Sequence, residues 1–376
     1  MGNVMKKGIL YVSTFKFDLV GGGENYLIDL ASHIQTDFRV EFASSINNPT
    51  FMKTLNQHGY RAKYINGHLS SILGDARFLA DLCQDRQIDI VHFNSRRDIL
   101  LAHRLVKYIK IPIVLTIHTT LTSPYISLLE KMKCLLYRAI IRLFGQSIHR
   151  YITVTQYNAS LLQKLCGVPP NRITAIYNGI QPVLDDYKSF TSARQQRHPI
   201  IGVVSHLFPM KGIDVLLRSL ALLKSVTWTC YIIGDGTEGE RLQALTRKLE
   251  LQDRIIFKGK LPREEVYDII KCCRMVVLPS WYESFPYSLL EAMSFGVPII
   301  TTRVSGLHEI VPEGKNGILV KPGQPDELKK AIYTLLDQPE LAWKMGQEGK
   351  RLIMTRFSLE NMVSQTRQVY RDILEA

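Results

Sequence analysis

The stretch RMVVLPSWYESFPYSLLEAMSFGVPIITT, residues 274–302, has the pattern of a strand, a helix and a second strand. Its two outer runs are rich in Val and Ile and almost continuously apolar, which is typical of strands covered on both faces of a parallel sheet. The segment between them carries Leu and Met at helical spacing. We therefore predict a strand–helix–strand unit of an α/β fold.

The same alternation extends over most of the chain. A chain of 376 residues exceeds one ordinary hydrophobic core, since domains usually hold about 100–150 residues. We predict two Rossmann-like doubly wound domains, at 1–185 and 198–355, followed by a closing helix at 356–376. Ligands of such sheets bind beyond the carboxyl ends of the strands, so we expect a ligand cleft between the domains. The predicted strands are 9–13, 39–43, 88–93, 111–118 and 150–155, and then PIIGVVS, WTCYIIG, RIIFKG, RMVVLP and VPIITT.

Cysteine usage and hydropathy bear on the compartment. The six cysteines form no CxxC pair and have no metal-ligand spacing, which indicates reduced thiols in a cytoplasmic protein. The amino terminus lacks a convincing export signal, and no apolar run approaches the length of a membrane-spanning helix. We therefore expect any membrane contact to be peripheral.

Two carboxylates, Glu283 and Glu291, lie eight positions apart in the quoted stretch. Ser284 is predicted as the N-cap of a helix that has Pro286 in its first turn and continues through Met293. Glu291 then lies about 10 Å along the helix axis from the N-cap, at ~1.5 Å per residue. A helix N-terminus favours a phosphate. A sugar joined through a diphosphate to a ribose has about this span, so the spacing fits a nucleotide sugar better than a metal ion.

The stretch ESFPYSLLEAMSFGVPII resembles the E-x7-E motif of the family 4 retaining glycosyltransferases, which have the two-domain GT-B fold. The similarity extends through SHLFPMKGIDVLL, IIGDGTEGERLQALTRKLEL and SGLHEIVPEGKNGILV, and more thinly through GGGENYLIDLA, TIH and YNGI. This resemblance implies a hexosyltransferase of polysaccharide biosynthesis. It would move a hexose from a nucleotide-diphosphate sugar to a hydroxyl of a lipid-linked or growing glycan. No cofactor and no metal are expected, and the leaving diphosphate would help to accept the acceptor's proton.

The resemblance also implies roles for individual residues. Glu283 would contact the donor sugar and Glu291 the ribose, while the backbone amides of Ser284 and Phe285 would face the diphosphate. A leaving diphosphate carries negative charge, so catalysis calls for fixed positive groups, and Lys211 in PMKG is the best candidate.

The sequence departs from the family pattern just before Lys211. Ser205 and His206 stand where a glycine and an arginine are usual. A histidine is only partly protonated near neutral pH. Two readings stay open: His206 replaces the arginine on the diphosphate, or it packs beside Phe208 and Pro209.

Six further residues are candidates. Gly22 and Gly23 in GGGEN follow the first strand and could approach a phosphate through their amides, although the run could also be a flexible loop. His118 ends a predicted strand, and the resemblance implies that it lies near the reacting centre, unless it is a structural histidine; His92 ends another predicted strand and has the same two interpretations. Gly234 and Lys260 resemble the wall around the nucleobase, but turn formation alone would explain the glycine.

The net charge of +13 is concentrated in the first half, where residues 1–195 hold 23 Lys and Arg against 13 Asp and Glu. The stretch 126–150 combines basic residues with Leu, Ile and Phe at mixed helical spacing. Such a helix could lie on an anionic membrane, or it could pack on the core with a solvated basic face. Nucleic acid is a weaker explanation of the charge, because no nucleic-acid motif accompanies it.

Two other functions are compatible with the fold. A non-catalytic GT-B partner subunit that stabilises an active glycosyltransferase is suggested by the missing arginine at position 206. Retention of Glu283, Glu291 and Lys211 argues against it. A dehydrogenase is remote, because the GxGxxG dinucleotide fingerprint is absent.

Overall fold

Two parallel β-sheets organise the part of the chain that the computed structural model describes, which is residues 6–14, 21–119, 121–122, 128–182 and 199–376. Contacts divide these residues into two compact units. The first contains residues up to 122, 128–178 and 359–376, and the second contains residues 179–182 and 199–358. The predicted domain ranges, 1–185 and 198–355, stay predictions, because residues 183–198 lie outside the described residues.

The described residues of the first unit form a seven-stranded sheet in the order β3-β2-β1-β4-β5-β6-β7. Its strands are β1 Gly8–Ser13, β2 Arg39–Ser45, β3 Ala62–Ile65, β4 Ile88–Phe93, β5 Ile113–Ile117, β6 Arg150–Thr153 and β7 Ile173–Ala175. The helices in this part are α1 Gly22–Ile34, α2 Pro49–Gln57, α3 Ile72–Asp85, α4 Ile99–Leu105, α5 Leu128–Phe144 and α6 Gln156–Cys166.

The described residues of the second unit form a six-stranded sheet in the order β10-β9-β8-β11-β12-β13. Its strands are β8 Ile200–Val204, β9 Thr229–Ile233, β10 Ile255–Gly259, β11 Cys273–Leu278, β12 Ile299–Thr302 and β13 Gly317–Val320. The helices are α7 Ile213–Ala221, α8 Gly239–Lys248, α9 Arg263–Cys272, α10 Tyr287–Ser294, α11 Leu307–Ile310, α12 Pro325–Asp337 and α13 Pro339–Thr355.

The last helix, α14 (Leu359–Glu375), belongs to the first unit. Its Tyr370 is fully buried there and hydrogen-bonds His92, while Arg367 and Arg371 form ion pairs of 3.0 and 3.1 Å with Asp37. The chain therefore returns to its first unit after completing the second.

The central strands of each sheet are buried on both faces, as their apolar sequences require, whereas edge strands such as β10 are largely exposed. All six residues of β1 are buried, and so are five of the six residues of β11. The ten strands predicted from the sequence all occur. The three that the prediction missed are β3, β7 and β13, which have four, three and four residues. Runs that short give too few alternations to distinguish a strand from a loop.

Candidate functional site

The strand order of the second unit reverses between β8 and β11, which pair side by side. Ligands of open parallel sheets bind beyond the carboxyl ends of strands at such a reversal. Lys211 lies in a short turn at 209–211 after β8, and Glu283 follows β11. The Lys211 ammonium donates a hydrogen bond to Oε1 of Glu283, and the side chains are only 16% and 13% exposed. The fold therefore brings these two predicted site residues into direct contact.

The loops that carry this pair are in backbone contact with each other. The amide of Trp281 donates to the carbonyl of Met210 over 2.8 Å. Gly212 has a φ of +63°, and a Cβ added there would lie 2.2 Å from the carbonyl oxygen of Pro279. Only glycine fits this position without displacing backbone. These backbone contacts hold the loop of Lys211 against the loop of Glu283.

His206 lies beside the same charges. The desolvation of its ring lowers its pKa, and the cations of Lys211 and Lys260 lower the pKa further, while Glu283 opposes them. The imidazole also packs against the ring of Phe208, with ring centroids 5.7 Å apart. The structure is therefore compatible with both interpretations of the sequence. His206 contacts Phe208, and the charges at the site also change its pKa.

The prediction that Ser284 caps the following helix is wrong. Helix α10 begins at Tyr287, and Pro286 occupies the N-cap position. A residue that precedes a proline is driven out of helical conformation, so the helix cannot extend back to Ser284. The Ser284 hydroxyl is buried without a hydrogen-bond partner among the described residues. Phe285 packs edge-on against Phe357 at 5.6 Å.

Glu291 lies within α10 and is held by two residues of the neighbouring helix α9. The hydroxyl of Tyr267 donates to its Oε1 over 3.2 Å, and Nη2 of Arg263 lies 3.3 Å from the same oxygen. Burial raises the pKa of Glu291, while Arg263 opposes this rise. Sequence reasoning missed both partners. Their spacing of four residues on a helix puts them on one face, but nothing in the sequence shows that this face meets Glu291.

Gly234 and Lys260 follow β9 and β10 on the same edge of the second sheet. Gly234 has a φ of +128°, and a Cβ there would lie 2.0 Å from the carbonyl oxygen of Ser205. Its amide donates to the carbonyl of Gly259 over 2.8 Å. A glycine is thus required where the end of β9 meets the loop after β8. Lys260 is exposed and is one of the cations that act on His206.

The first unit has its own strand-order reversal, between β1 and β4. The glycine-rich start of α1 follows β1, and Asn94 follows β4 directly. The Asn94 amide donates to the carbonyl of Gly23 over 2.8 Å, so its oxygen is left to accept from Nε2 of His118, also at 2.8 Å. Gly22 is exposed at the start of the helix. Gly23, Asn94 and His118 therefore form one hydrogen-bonded group, in which Asn94 was not predicted.

The two strand-end histidines differ in their surroundings. Burial lowers the pKa of His118 to about 4, so the ring is neutral at pH 7, protonated on Nε2 and with its lone pair on Nδ1. His92 is fully buried, and its two ring nitrogens contact the hydroxyls of Tyr370 and Thr116. Burial lowers the pKa of His92 to about 3. His92 is a structural histidine, whereas His118 lies at the mouth of its strand.

A metal site was not expected from the sequence. Among the described residues, no group of three or more His, Cys, Asp or Glu side chains is placed to hold a metal ion. No helix in this part of the chain is both long enough and apolar enough to cross a membrane.

Family models match both halves of the chain. The model described as "Glycosyl transferases group 1" matches residues 185–352, and the one described as "Glycosyltransferase Family 4" matches residues 20–183. D-inositol 3-phosphate glycosyltransferase of Acidothermus cellulolyticus is 32% identical over 243 residues, which are 60% of this chain and 53% of that protein. N-acetyl-alpha-D-glucosaminyl L-malate synthase of Bacillus anthracis is 28% identical over 79% of this chain and 78% of its own length. The chain thus spans about half of the first relative and over three quarters of the second.

Solved structures share the fold over nearly the full chain. Anabaena HepE, solved in complex with UDP-glucose, has a TM-score of 0.81 at 21% identity, covering 97% of this chain and 99% of that one. A glycosyltransferase from Rickettsia africae also has a TM-score of 0.81, at 19% identity, covering 98% and 99%. At these identities the likeness shows the fold alone, and it confirms the predicted GT-B class.

Proposed function

Because the chain belongs to the group 1 and family 4 glycosyltransferases, we propose that it is a retaining hexosyltransferase that uses a nucleotide-diphosphate sugar. The acceptor in this proposal is a hydroxyl of a lipid-linked or growing glycan of a surface polysaccharide. In this proposal the enzyme acts at the cytoplasmic face of a membrane. The observation that carries the proposal is the contact between Lys211 and Glu283 at the strand-order reversal of the second sheet.

Binding of a nucleotide sugar can replace the hydrogen bond between Lys211 and Glu283 with contacts to the donor. Without donor, the ammonium of Lys211 is neutralised by the carboxylate of Glu283. A bound diphosphate would attract Lys211, and the sugar hydroxyls would donate to the oxygens of Glu283. The phosphate charge grows as the glycosidic bond breaks, so a fixed ammonium stabilises the transition state more than the ground state. Neither group has to be brought from elsewhere.

The remaining residues of the second unit fit around the same ligand. Glu291 is held by Arg263 and Tyr267, which keep its carboxylate in place for the ribose hydroxyls. The amides of Ser284 and Phe285, just before α10, face the diphosphate in this arrangement. Gly234 and Lys260 flank the base. No metal ion is part of the proposal, since Lys211 and the start of the helix supply the positive charge.

In the first unit, His118 acts near the reacting centre, and Gly22 and Gly23 approach the diphosphate through their amides. The neutral ring of His118 can accept a hydrogen bond at Nδ1, because Nε2 is committed to Asn94. A lone pair at that position suits a sugar or acceptor hydroxyl.

Contact with a membrane is part of the proposal, and helix α5 supports it. Only Cys134 and Ile141 of this helix are buried. Its exposed large apolar side chains are Leu128, Leu129, Met132, Leu135, Leu136 and Leu143, from 57% to 75% exposed. The cations Lys131, Lys133 and Arg142 are also exposed on it. The helix packs on the core through Ile141, while its exposed apolar and basic side chains together suit the surface of an anionic bilayer.

A second candidate function, a non-catalytic GT-B partner subunit, has one observation in its favour. The lowered pKa of His206 leaves the site without its second cation near neutral pH. The ion pair of Lys211 with Glu283 favours an active enzyme over a partner subunit, because a site without catalytic use has no need to keep both groups. Purified chain that turns over or hydrolyses a nucleotide sugar without another protein would exclude the partner role.

Thermal unfolding with a panel of nucleotide sugars tests the proposal. A ligand at 100 times its dissociation constant adds about 2.7 kcal/mol to the free energy of unfolding. At least one UDP- or GDP-sugar should raise the melting temperature by several degrees, and the corresponding nucleoside monophosphate should raise it less. No stabilisation by any nucleotide sugar would overturn the proposal.

A further inference from the structure

Basic side chains line a cavity at the amino-terminal edge of the first sheet, where β1, β2 and β4 begin. Its volume of about 690 Å³ lies in the usual range of small-molecule pockets, about 300–1,000 Å³. The charged residues of its lining are three cations, Lys6, Lys7 and Arg39, and one carboxylate, Asp89. The candidate site residues of this unit follow the carboxyl ends of the strands, so the cavity lies at the opposite edge of the sheet.

The carboxylate of Asp89 does not balance all of this positive charge. Its Oδ1 lies 2.9 Å from the ammonium of Lys7, and its Oδ2 accepts a hydrogen bond from the amide of Gly8 over 2.7 Å. Lys6 instead donates to the backbone carbonyl of Gln35 over 2.9 Å. A carbonyl accepts a hydrogen bond from the ammonium but carries no full charge to neutralise it. Lys6 therefore leaves a positive charge at the cavity.

Arg39 is held at the cavity by backbone carbonyls. Its Nη2 donates to the carbonyls of Arg86 and Gln87, just after α3. Gln87 has a φ of +46°, which is uncommon for a residue other than glycine, and a Cβ on Gly8 would lie 2.9 Å from Nη2. The carboxylate of Glu41 lies 3.9 Å from Nη1, beyond hydrogen-bond distance. The guanidinium is therefore fixed in place with its charge still available to an anion.

A half-buried aromatic ring also lines the cavity. The ring of Tyr60 packs against that of Phe42, with centroids 5.0 Å apart. The Tyr60 hydroxyl donates to Oε1 of Gln35 over 3.4 Å, and the carbonyl of Gln35 is the one that accepts from Lys6. Ring and ammonium are thus attached to the same residue. Phe38 and Ile88 add apolar surface to the lining.

We propose that this cavity binds a phosphate monoester that carries a flat ring, with the phosphate held by Lys6 and Arg39 and the ring on Tyr60. A phosphate monoester has a charge of about −1.5 to −2 at pH 7, which matches the surplus of two cations over the carboxylate. A guanidinium can bind it through two N–H groups, and an aromatic ring packs well on a tyrosine. The inference goes beyond the proposed function and does not depend on it, because the donor site belongs to the second unit.

Phenyl phosphate is the probe, and two simpler compounds separate its parts. Inorganic phosphate carries the charge without the ring, and phenol carries the ring without the phosphate. Calorimetric titration of the full chain at pH 7.5 and constant ionic strength should show phenyl phosphate binding at least fivefold more tightly than either. Equal affinity for phenyl phosphate and inorganic phosphate would overturn the proposal by revealing attraction of any anion to surface charge.

Variants locate the binding. Arg39→Gln should weaken phenyl phosphate binding about tenfold, which is about 1.4 kcal/mol, and Lys6→Gln about threefold. Lys53→Gln removes an exposed cation of α2 outside the lining and should change nothing. Tyr60→Leu should reduce the affinity to that of inorganic phosphate, whereas Tyr64→Leu, on the exposed face of β3, should not. Lys6 is at the surface, so the test stays valid even if Arg39→Gln fails to fold.

The donor site has its own cation, Lys211, which provides the comparison between the two sites. Lys211→Met should retain phenyl phosphate binding, and Lys6→Gln should retain stabilisation by nucleotide sugars. Loss of phenyl phosphate binding in Lys211→Met, with unchanged binding in Lys6→Gln and Arg39→Gln, would place the phosphate at the donor site and overturn the inference. If no nucleotide sugar stabilises the wild type, the proposed function fails, and the Lys6 and Arg39 variants still decide whether the cavity binds phosphate.

Discussion

Lys211 donates a hydrogen bond to Glu283 across a separation of 72 positions in the sequence. Both side chains are mostly buried, at 16% and 13% exposure, and each follows one of two adjacent parallel strands. An ion pair at this depth holds both groups in one geometry, but it also makes each depend on the other, because a buried charge without its partner is costly.

The first prediction concerns the stability of this pair. Lys211→Met leaves the Glu283 carboxylate without its cation and should lower the free energy of unfolding by about 1–3 kcal/mol. Adding Glu283→Gln removes the orphaned charge, so the double variant should recover part of that loss. Urea unfolding measures both. Lys224→Met breaks an exposed pair and should cost less. If the double variant lost as much unfolding free energy as the two single variants together, or more, the coupling would be contradicted.

The second prediction concerns Glu291. Glu291→Ala should weaken the binding of the stabilising nucleotide sugar at least tenfold, because the ribose hydroxyls lose their acceptor. Arg263→Ala should weaken it less, since Tyr267 still holds the carboxylate, and Arg263→Lys should restore part of the loss. Calorimetry gives the dissociation constants, with the exposed Glu313→Ala as control. An unchanged constant in Glu291→Ala would place the ribose elsewhere.

The third prediction concerns pH. The protonated form of His206 should bind a diphosphate more strongly, so affinity should rise as pH falls through the titration of its ring. Desolvation and the neighbouring cations lower the pKa of His206, which moves this rise below the ordinary value of ~6.5. The dissociation constant should therefore be flat from pH 8 to 7 and fall below pH 6.5. A nucleotide sugar is the right probe, because its diphosphate diester does not itself titrate there.

His206→Arg supplies the comparison for this pH series. Arginine stays charged across the whole range, so the variant should bind the donor more tightly at pH 8 and show no dependence on pH. Matching profiles in the two proteins would mean that His206 only packs against Phe208. The diphosphate would then be held by Lys211 and the start of α10.

The strand alternation predicted the two α/β sheets because continuous apolar runs have one stable environment, the middle of a covered parallel sheet. The resemblance to the family singled out Lys211 and Glu283 but not their contact, since pairing of β8 with β11 depends on strand order. Strand order is a long-range property that local periodicity does not encode. The start of α10 was mispredicted because the prediction followed the capping preference of Ser284. It neglected that Pro286 keeps the residue before it out of helical conformation.

Residues that act through others were the hardest to find. Asn94, Arg263 and Tyr267 have no motif, and they matter because the fold places them beside His118 or Glu291. Asp98 reads in the sequence as an ordinary carboxylate of the polar run NSRRD. Its burial and its hydrogen bond from Thr14 depend on tertiary packing, which the sequence pattern does not specify.

The fourth prediction concerns Asp98 and stability. Burial raises the pKa of Asp98 to about 7, with Glu24 adding to the rise and Arg97 opposing it. The folded state therefore binds the proton more tightly than the unfolded state, whose carboxyl titrates near ~3.9. Stability from this group is complete below that value and is lost as pH rises to about 7, by at most about 1.4 kcal/mol per pH unit.

Asp98→Asn removes this titration and keeps an oxygen for Thr14. The variant should be more stable than the wild type at pH 8, and the difference should shrink toward pH 5. Melting temperatures across that range measure it, with the exposed Asp81→Asn as a control that should show no such trend. A constant difference between Asp98→Asn and wild type at every pH would show that Asp98 does not titrate as described.

The most direct test of the whole account is the turnover of Glu283→Gln with the nucleotide sugar that stabilises the wild type. The substitution keeps the size of the side chain and removes its charge, and it also frees Lys211 for the diphosphate. We predict that kcat falls at least a hundredfold while the dissociation constant of the nucleoside diphosphate changes less than threefold, and that the exposed Glu313→Gln retains full activity. A Glu283→Gln variant with wild-type kcat would contradict the claim that the Lys211 and Glu283 pair is the centre of a sugar-transfer site.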